Sequence, residues 1–280
     1  MPLEPESPRR SDGPGLLFWL SVGWIAVVVL LACTANLLHL PPPNHSVANA
    51  GEGPGLHHLL GTDLNGQDTL ARVIFGSRVT LIVGFLSIAL GLVVGGGIGL
   101  VAGYYRGRVD SVLTALVDIL LAFPALVFAL AIVSFVGRSV LDITVTIGVL
   151  AIGPLARVVR GSTIGYSQRE FVLAARTLGA PGRRIVLREV LPNVVPAAVS
   201  FGIVGVAVAM VAEGSLSFLN LSVSASQPSW GGLIALGYTD VEHHPLVSLI
   251  PAAVLFLTVL ALNFAGEALR QRFDVKEAAV

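Results

Sequence analysis

Apolar residues in this chain are grouped in six long stretches, unlike the short periodic segments of a water-soluble fold. Most of these stretches reach the roughly 20 residues that a helix needs to cross the hydrocarbon core of a bilayer. The pattern therefore predicts an all-α membrane protein with six spans. Their approximate ranges are 16–38, 79–104, 111–136, 141–158, 194–214 and 246–266.

The polar segments between these stretches define the predicted organisation of the chain. Pro124 and Pro154 lie within apolar stretches, where proline removes a backbone hydrogen bond and favours a kink. The predicted parts are a tail at 1–15, the first span at 16–38, an outer segment at 39–78, a core of five spans at 79–268 and a tail at 269–280. The core includes an inner connection at 159–193 and an outer loop at 215–245.

The distribution of basic residues predicts which side of the membrane each segment occupies. With the N-terminus placed in the cytoplasm, 14 of the 17 lysine and arginine residues fall on the cytoplasmic side. Only Arg72, Arg78 and Arg138 then lie outside. Cytoplasmic loops normally carry this excess, so both termini are expected in the cytoplasm.

The first span has an alternative interpretation as a signal sequence. Arg9 and Arg10 precede the apolar run, and Leu30-Leu31-Ala32-Cys33 resembles a degraded lipoprotein cleavage box. A retained helix is favoured because the apolar run continues through Leu38.

Composition supports the membrane interpretation and excludes several classes of protein. Hydrophobic residues make up 54% of the chain, charged residues only 12%, and mean hydropathy is +0.84. A soluble fold this apolar lacks the polar groups to cover its surface. The 17 basic residues are balanced by 17 acidic ones, which disfavours nucleic-acid binding. The single cysteine, Cys33, excludes an internal disulfide framework or a thiolate zinc site.

Motifs of membrane-bound catalysis are absent from the sequence. It contains no Gly-x-Ser-x-Gly elbow, no phosphate-binding Gly-x4-Gly-Lys-Ser/Thr loop and no His-Glu-x-x-His pair. We therefore expect no catalytic residue, no metal site and no bound cofactor in this chain. The histidine pairs His57-His58 and His243-His244 are expected to be solvated loop residues, with a metal or pH role as the alternative.

Small and acidic residues within the spans predict specific packing contacts. A stripe of small residues four positions apart in the second span is typical of close helix packing: Ser87, Gly91, Gly95, Gly99 and Gly103. Asp118 lies deep in the third span and should need a partner. Support of packing or gating is its favoured role, with direct substrate contact as the alternative. Glu213 and Glu267 lie near span ends and are expected to reach the interface.

The inner connection is predicted to contain one short surface helix of about eleven residues. Ser167 and Glu170 fit an N-terminal capping box, and Gly179 and Pro181 end the helix. One side of the predicted helix carries a narrow apolar face. Such a face suits a groove in a partner protein better than lipid, which favours larger apolar side chains. Its members, at i, i+3, i+4 and i+7, are Phe171, Ala174, Ala175 and Leu178.

Residues 171–180, Phe-Val-Leu-Ala-Ala-Arg-Thr-Leu-Gly-Ala, followed by Leu-Pro-Asn at 191–193, resemble the EAA loop of ABC importer permeases. Other segments narrow the resemblance to the C-type permease of dipeptide, oligopeptide and nickel importers: Gly61-Thr62-Asp63, Asp118, Phe123-Pro124 and Pro228-Ser229-Trp230-Gly231. The resemblance covers roughly 55–275. Three residues differ from the family pattern. Gln67 stands where an arginine is expected, Leu173 where the motif name has glutamate, and Glu267 where an aspartate is expected.

The resemblance implies a type I ABC importer permease fold in a prokaryotic inner membrane. It implies four kinds of partner: a second, B-type permease, two ATPase domains that bind ATP and Mg²⁺, an extracytoplasmic binding protein and the lipid membrane. Asp118 and Pro124 are then candidates for pore or gate support, and the segments around Asp63 and Trp230 for facing the binding protein. ATPase coupling is assigned to Glu170, Phe171, Ala174, Ala175, Arg176, Leu178 and Gly179.

The resemblance makes dipeptides or oligopeptides the expected substrates, with nickel chelates or other small solutes as alternatives. Two other functions compete with it. An ion-coupled secondary transporter would need acids near the midplane and often two similar halves, and only Asp118 approaches that requirement. An intramembrane enzyme would need a nucleophile and a base, for which only His243 or His244 near Ser248 is a candidate.

Overall fold

A computed structural model describes residues 15–224 and 226–278, with side chains described to residue 272. Residues 1–14 of the predicted N-terminal tail therefore lie outside the described residues, as do the side chains of most of the C-terminal tail. Within the described ranges the chain is helical and has no strand. The helices are α1 (Leu16–Thr34), α2 (Thr69–Tyr105), α3 (Gly107–Ala122), α4 (Ala125–Val136), α5 (Val140–Tyr166), α6 (Glu170–Thr177), α7 (Gly182–Ile185), α8 (Leu191–Phe218), α9 (Trp230–Tyr238) and α10 (Pro245–Ala278), with a π-helical turn at Val186–Val190.

Five of these helical segments are long and apolar enough to cross a membrane. They are α1, α2, α5, α10 and the continuous helix of residues 182–218. The third apolar stretch is two helices, α3 and α4, bent by 88°, so there are six crossings only if this pair counts as one. The bend lies at Pro124, which occupies the N-cap of α4, as expected for a residue without a backbone N–H.

Two helix boundaries and the content of one loop differ from the sequence prediction. Helix α2 begins at Thr69 because the Asp68 carboxylate caps it, accepting from the Ala71 backbone N–H at 2.8 Å. Helix α5 continues to Tyr166, so Arg160 lies within a helix and not at the start of the inner connection. The physical reason is that this end of α5 packs on α2. The outer loop contains an unpredicted helix, α9.

Close packing between α2 and α5 organises the bundle. The predicted small-residue stripe is buried in this contact, which confirms the packing prediction. The Ser87 hydroxyl donates to the Thr144 carbonyl oxygen at 2.8 Å. A Cβ atom built on Gly99 would lie 2.8 Å from the Arg160 backbone nitrogen, and one on Gly103 would lie 2.8 Å from the Arg160 carbonyl oxygen. The two backbones are therefore too close for any side chain at these positions.

The buried apolar residues form two separate cores. The larger lies among α1, α2, α4, α5, α8, α9 and α10. The indole Nε1 of Trp24 donates to the Thr258 hydroxyl at 3.0 Å and so links α1 to α10. The smaller, which we call the second core, joins α6 and the start of the 182–218 helix to the ends of α2 and α5. Its buried members are Leu100, Val159, Val172, Ile185, Val186, Val190, Val194 and Ala198.

A substitution pair on α2 tests the close approach to α5. Gly99→Val should destabilise the purified protein by about 1–3 kcal/mol or more, because the new side chain overlaps the α5 backbone. Gly97→Val is the matched control, since a Cβ on Gly97 meets nothing within 4 Å. Thermal unfolding in detergent measures both variants. Equal stabilities would contradict the α2–α5 packing.

Candidate functional site

The short helix α6 starts later than the sequence predicts. Its N-cap is Arg169, and it spans eight residues. Ser167 closes α5 as its C-cap, with its hydroxyl donating to the Ile164 carbonyl oxygen at 2.9 Å. The proposed Ser167–Glu170 capping box is therefore wrong, because the preceding helix uses the serine. The C-terminal end is as expected, with Gly179 in the left-handed region at a φ of +77°.

Helix α6 has two apolar faces where the sequence predicts one. Val172 is fully buried and Ala175 partly buried, and both pack into the second core. Phe171, Ala174 and Leu178 are exposed. Ala175 therefore faces its own chain, which corrects its predicted place on the outward face. The helix is anchored through one face and leaves the other exposed.

Charged residues at the two ends of α6 are also exposed. Glu170 lies in the first turn and Arg176 in the last, where each charge complements the helix dipole. The guanidinium of Arg176 lies 5.3 Å from the centre of the Tyr104 ring, at the end of α2. This contact adds a cation–π link between α6 and the bundle.

Asp118 has a partner, as a deep acidic residue requires. Its Oδ1 accepts a hydrogen bond from Nη2 of Arg157 on α5 at 2.7 Å. A second pair lies nearby, in which Arg160 donates from Nε and Nη2 to the two carboxylate oxygens of Asp110 at 2.5 and 2.7 Å. Both pairs join α3, the helix before the bend at Pro124, to α5.

The outer segment before α2 is organised around Asp63, whose carboxylate is buried and pairs with the buried Arg72. Its Oδ1 also accepts from the backbone N–H groups of Asn65 and Gln67, at 2.8 and 3.0 Å. Asp63 is therefore a support inside this segment and does not present its side chain to a partner. Next to it, His58 Nδ1 lies 2.8 Å from Oδ2 of Asp68.

The outer loop after α8 is held by a second buried group. Trp230 is buried, and its indole Nε1 donates to the Val73 carbonyl oxygen at 2.9 Å. Glu213 is also fully buried, which corrects the expectation that it reaches the interface. Its Oε1 accepts from three serine hydroxyls at 2.5–3.1 Å because the loop folds back over the end of α8. These donors are Ser217, Ser222 and Ser229.

Sequence reasoning counted Arg157 and Arg160 only among the basic residues of the cytoplasmic side and so missed both ion pairs. Two acids at or near the start of the third apolar stretch, Asp110 and Asp118, and two arginines at the end of the fourth are the signal that indicates such pairing. Within the described residues, no three histidine, cysteine or acidic side chains approach closely enough to hold a metal ion. His243 instead lies 2.7 Å from Oδ1 of Asp240 in an exposed turn.

The family described as binding-protein-dependent transport system inner membrane component matches residues 95–276. This chain belongs to that family. It is therefore a multi-pass inner-membrane component of a transport system, in agreement with its apolar helices. The match includes the Asp118–Arg157 pair, α6 and the second core, whereas Asp63 precedes it.

Individual relatives and solved structures agree with this assignment. The chain is 35% identical over 225 residues to a glutathione transport system permease protein of Pectobacterium atrosepticum, covering 80% of this chain and 75% of that one. It is 35% identical over 228 residues to the protein of that name from Escherichia coli, covering 81% and 75%. Inward-facing structures of the MetNI methionine ABC transporter match with TM-scores of 0.62 and 0.63 at 18% identity, covering 72–73% of this chain and 96–97% of theirs. These structures show the ABC importer permease fold.

Removing the Asp63 charge should destabilise the protein strongly. Asp63→Asn leaves the buried Arg72 guanidinium without its counter-ion, which costs about 3–5 kcal/mol in comparable buried pairs. Asp240→Asn is the control, because its pair with His243 is exposed and should contribute less than about 1 kcal/mol. Chemical unfolding of both variants tests this. Similar losses would show that Asp63 does not support the outer segment.

Proposed function

We propose that this chain is the C-type permease subunit of an ATP-driven, binding-protein-dependent importer of peptide-type substrates. It forms the translocation pathway with a B-type permease, and two partner ATPase domains bind and hydrolyse ATP with Mg²⁺. An extracytoplasmic binding protein delivers the substrate. Both termini lie in the cytoplasm, where the basic residues are concentrated.

The observation that carries this proposal is the division of α6 into an anchored and a presented face. A helix that only covered the bundle would bury its large apolar residues, yet Leu178 is 86% exposed and Phe171 is also exposed. Ala174 leaves room between them for a close contact. The three residues form a small apolar ridge that fits a cleft in a partner protein. In the proposed function that partner is the ATPase domain.

The substrate class is proposed from the relatives and not from a binding site. Two relatives at 35% identity are named as glutathione transport permeases, and glutathione is a small peptide. This supports peptide-type substrates, as the sequence resemblance also implies. Nickel chelates and other small solutes are the alternatives that a direct uptake measurement would reveal.

The outer surface is the proposed docking side for the binding protein. The Asp63–Arg72 pair fixes the segment before α2, and the Glu213 and Trp230 contacts fix the loop after α8. The two segments meet where the Asn44 side-chain amide donates to the Ser226 carbonyl oxygen at 2.7 Å. A rigid outer surface of this kind lowers the entropic cost of docking.

A charge placed on the exposed ridge of α6 should separate the permease from its ATPase. Ala174→Asp should leave the permease folded and membrane-inserted, while ATPase co-purification and uptake fall together by about tenfold or more. Ala175→Asp is the matched comparison. It should also lower the thermal stability of the permease, because the new carboxylate enters the second core. Wild-type uptake and ATPase binding in Ala174→Asp would contradict the docking assignment.

Uptake by the complete transporter tests the proposed function itself. Proteoliposomes with both permeases, the ATPase domains and the binding protein should accumulate labelled glutathione or dipeptides only when ATP is supplied. A non-hydrolysable ATP analogue should abolish uptake, and an ionophore should leave it unchanged. Uptake that resists the analogue but collapses with the ionophore would indicate a secondary transporter instead. Uptake of nickel chelates without peptides would overturn the substrate class.

A further inference from the structure

The Asp118–Arg157 pair is unusually accessible for charges within apolar helices. The Arg157 side chain is 58% exposed and that of Asp118 is 52% exposed. Asp118 and Arg157 lie in segments long and apolar enough to cross a membrane, the bent α3–α4 pair and α5. Lipid contact within such a segment would be costly for either charge. An adjoining aqueous space removes this cost.

The neighbouring Asp110–Arg160 pair provides an internal comparison. Its side chains are 17% and 35% exposed, and two hydrogen bonds hold the guanidinium against the carboxylate. That geometry fixes both partners and neutralises both charges. Arg157, in contrast, uses a single hydrogen bond to Asp118. A guanidinium has five N–H donors, so Arg157 keeps donors for another acceptor.

A partly open cleft of about 260 Å³ lies beside the exposed pair, between α2, α3 and α5. Its walls include Gly99 and Ala102 of α2 and Thr114 of α3, and both Arg157 and Arg160 border it. No acidic residue is among its lining residues in the described part of the chain. Because Asp110 already neutralises Arg160, Arg157 is the cation that remains available to a group in the cleft.

We propose that Asp118 and Arg157 line the aqueous part of the translocation pathway, and that Arg157 binds the carboxylate of a passing substrate. This inference rests on the proposed function, since a peptide-type substrate supplies the carboxylate. A guanidinium recognises a carboxylate through paired hydrogen bonds, and a weakly held Arg157 exchanges Asp118 for the substrate group and back again. Such exchange lets the substrate bind briefly and leave.

Cysteine labelling of the complete transporter in inverted membrane vesicles tests the aqueous location. In a Cys33→Ser background, Asp118→Cys and Arg157→Cys should each react with membrane-impermeant methanethiosulfonates. Val93→Cys is the control, because Val93 is 77% exposed but lies on α2 away from the α5-facing stripe. We expect it to label only after denaturation in SDS. Labelling of Asp118→Cys and Arg157→Cys only after denaturation would overturn the pathway assignment.

The charge preference of the same reaction tests the role of Arg157. Rates for a sulfonate reagent and a trimethylammonium reagent are each divided by their rates with 2-mercaptoethanol. At Asp118→Cys the corrected ratio should favour the anionic reagent by about tenfold, because Arg157 attracts it. Adding Arg157→Gln should bring the ratio close to one. Adding Arg138→Gln, which removes an exposed arginine between α4 and α5, should leave it unchanged.

A ratio that Arg157→Gln does not change would overturn the assignment of Arg157 as the anion-binding group. Labelling depends on access of water and not on transport, so this result is independent of the uptake experiment. Loss of ATP dependence in wild-type uptake would overturn the proposed function while leaving the labelling pattern intact. The two failures are therefore distinguishable.

Discussion

The close approach of the α2 and α5 backbones is the constraint on which the rest of the structure depends. Helices in lipid gain little from apolar burial against one another, so they associate through close packing and hydrogen bonds. The small residues of α2 permit this packing along almost the whole of α5, from Thr144 to Thr163. Helices α3, α8 and α9 also pack against α2. Both ion pairs to α3 extend from the same end of α5.

Features with a strong local cause were predictable from sequence. Membrane-spanning helices follow from run length, the α2–α5 contact from a four-residue spacing of small residues, and the break at Pro124 from the missing N–H of proline. The left-handed conformation of Gly179 likewise follows from its place after a short amphipathic segment. In each case the residues that decide the structure are neighbours along the chain or along one helix.

Features that depend on residues distant in sequence were not predictable in this way. Ser167 fits an N-cap by its spacing to Glu170, but α5 extends far enough to use it as a C-cap. The burial of Glu213 requires serines at 217, 222 and 229 to fold over it, which periodicity does not indicate. Likewise, the inward orientation of Ala175 depends on the second core, whose members come from α2, α5 and the 182–218 helix.

The charged side chains at the two ends of the bundle differ in burial and in the number of hydrogen bonds that they make. At the outer end, Asp63 and Glu213 are enclosed and accept several hydrogen bonds each, which holds the loops around them in one arrangement. Toward the α6 end, the Asp118–Arg157 pair is open and singly bonded. A protein that must keep one surface rigid and let another rearrange needs this asymmetry, because a buried group held by several hydrogen bonds resists rearrangement more than an exposed pair held by one.

The second core also has a mechanical consequence. Helix α6 packs into the second core, which is separate from the larger one. We therefore expect a force on its exposed ridge to move more than one connecting loop. Val172 belongs to this second core, whose other buried members come from α2, α5 and the 182–218 helix. Densely packed side chains transmit strain and do not dissipate it. We therefore expect a small displacement of this eight-residue helix to move the adjoining ends of three membrane-spanning helices together.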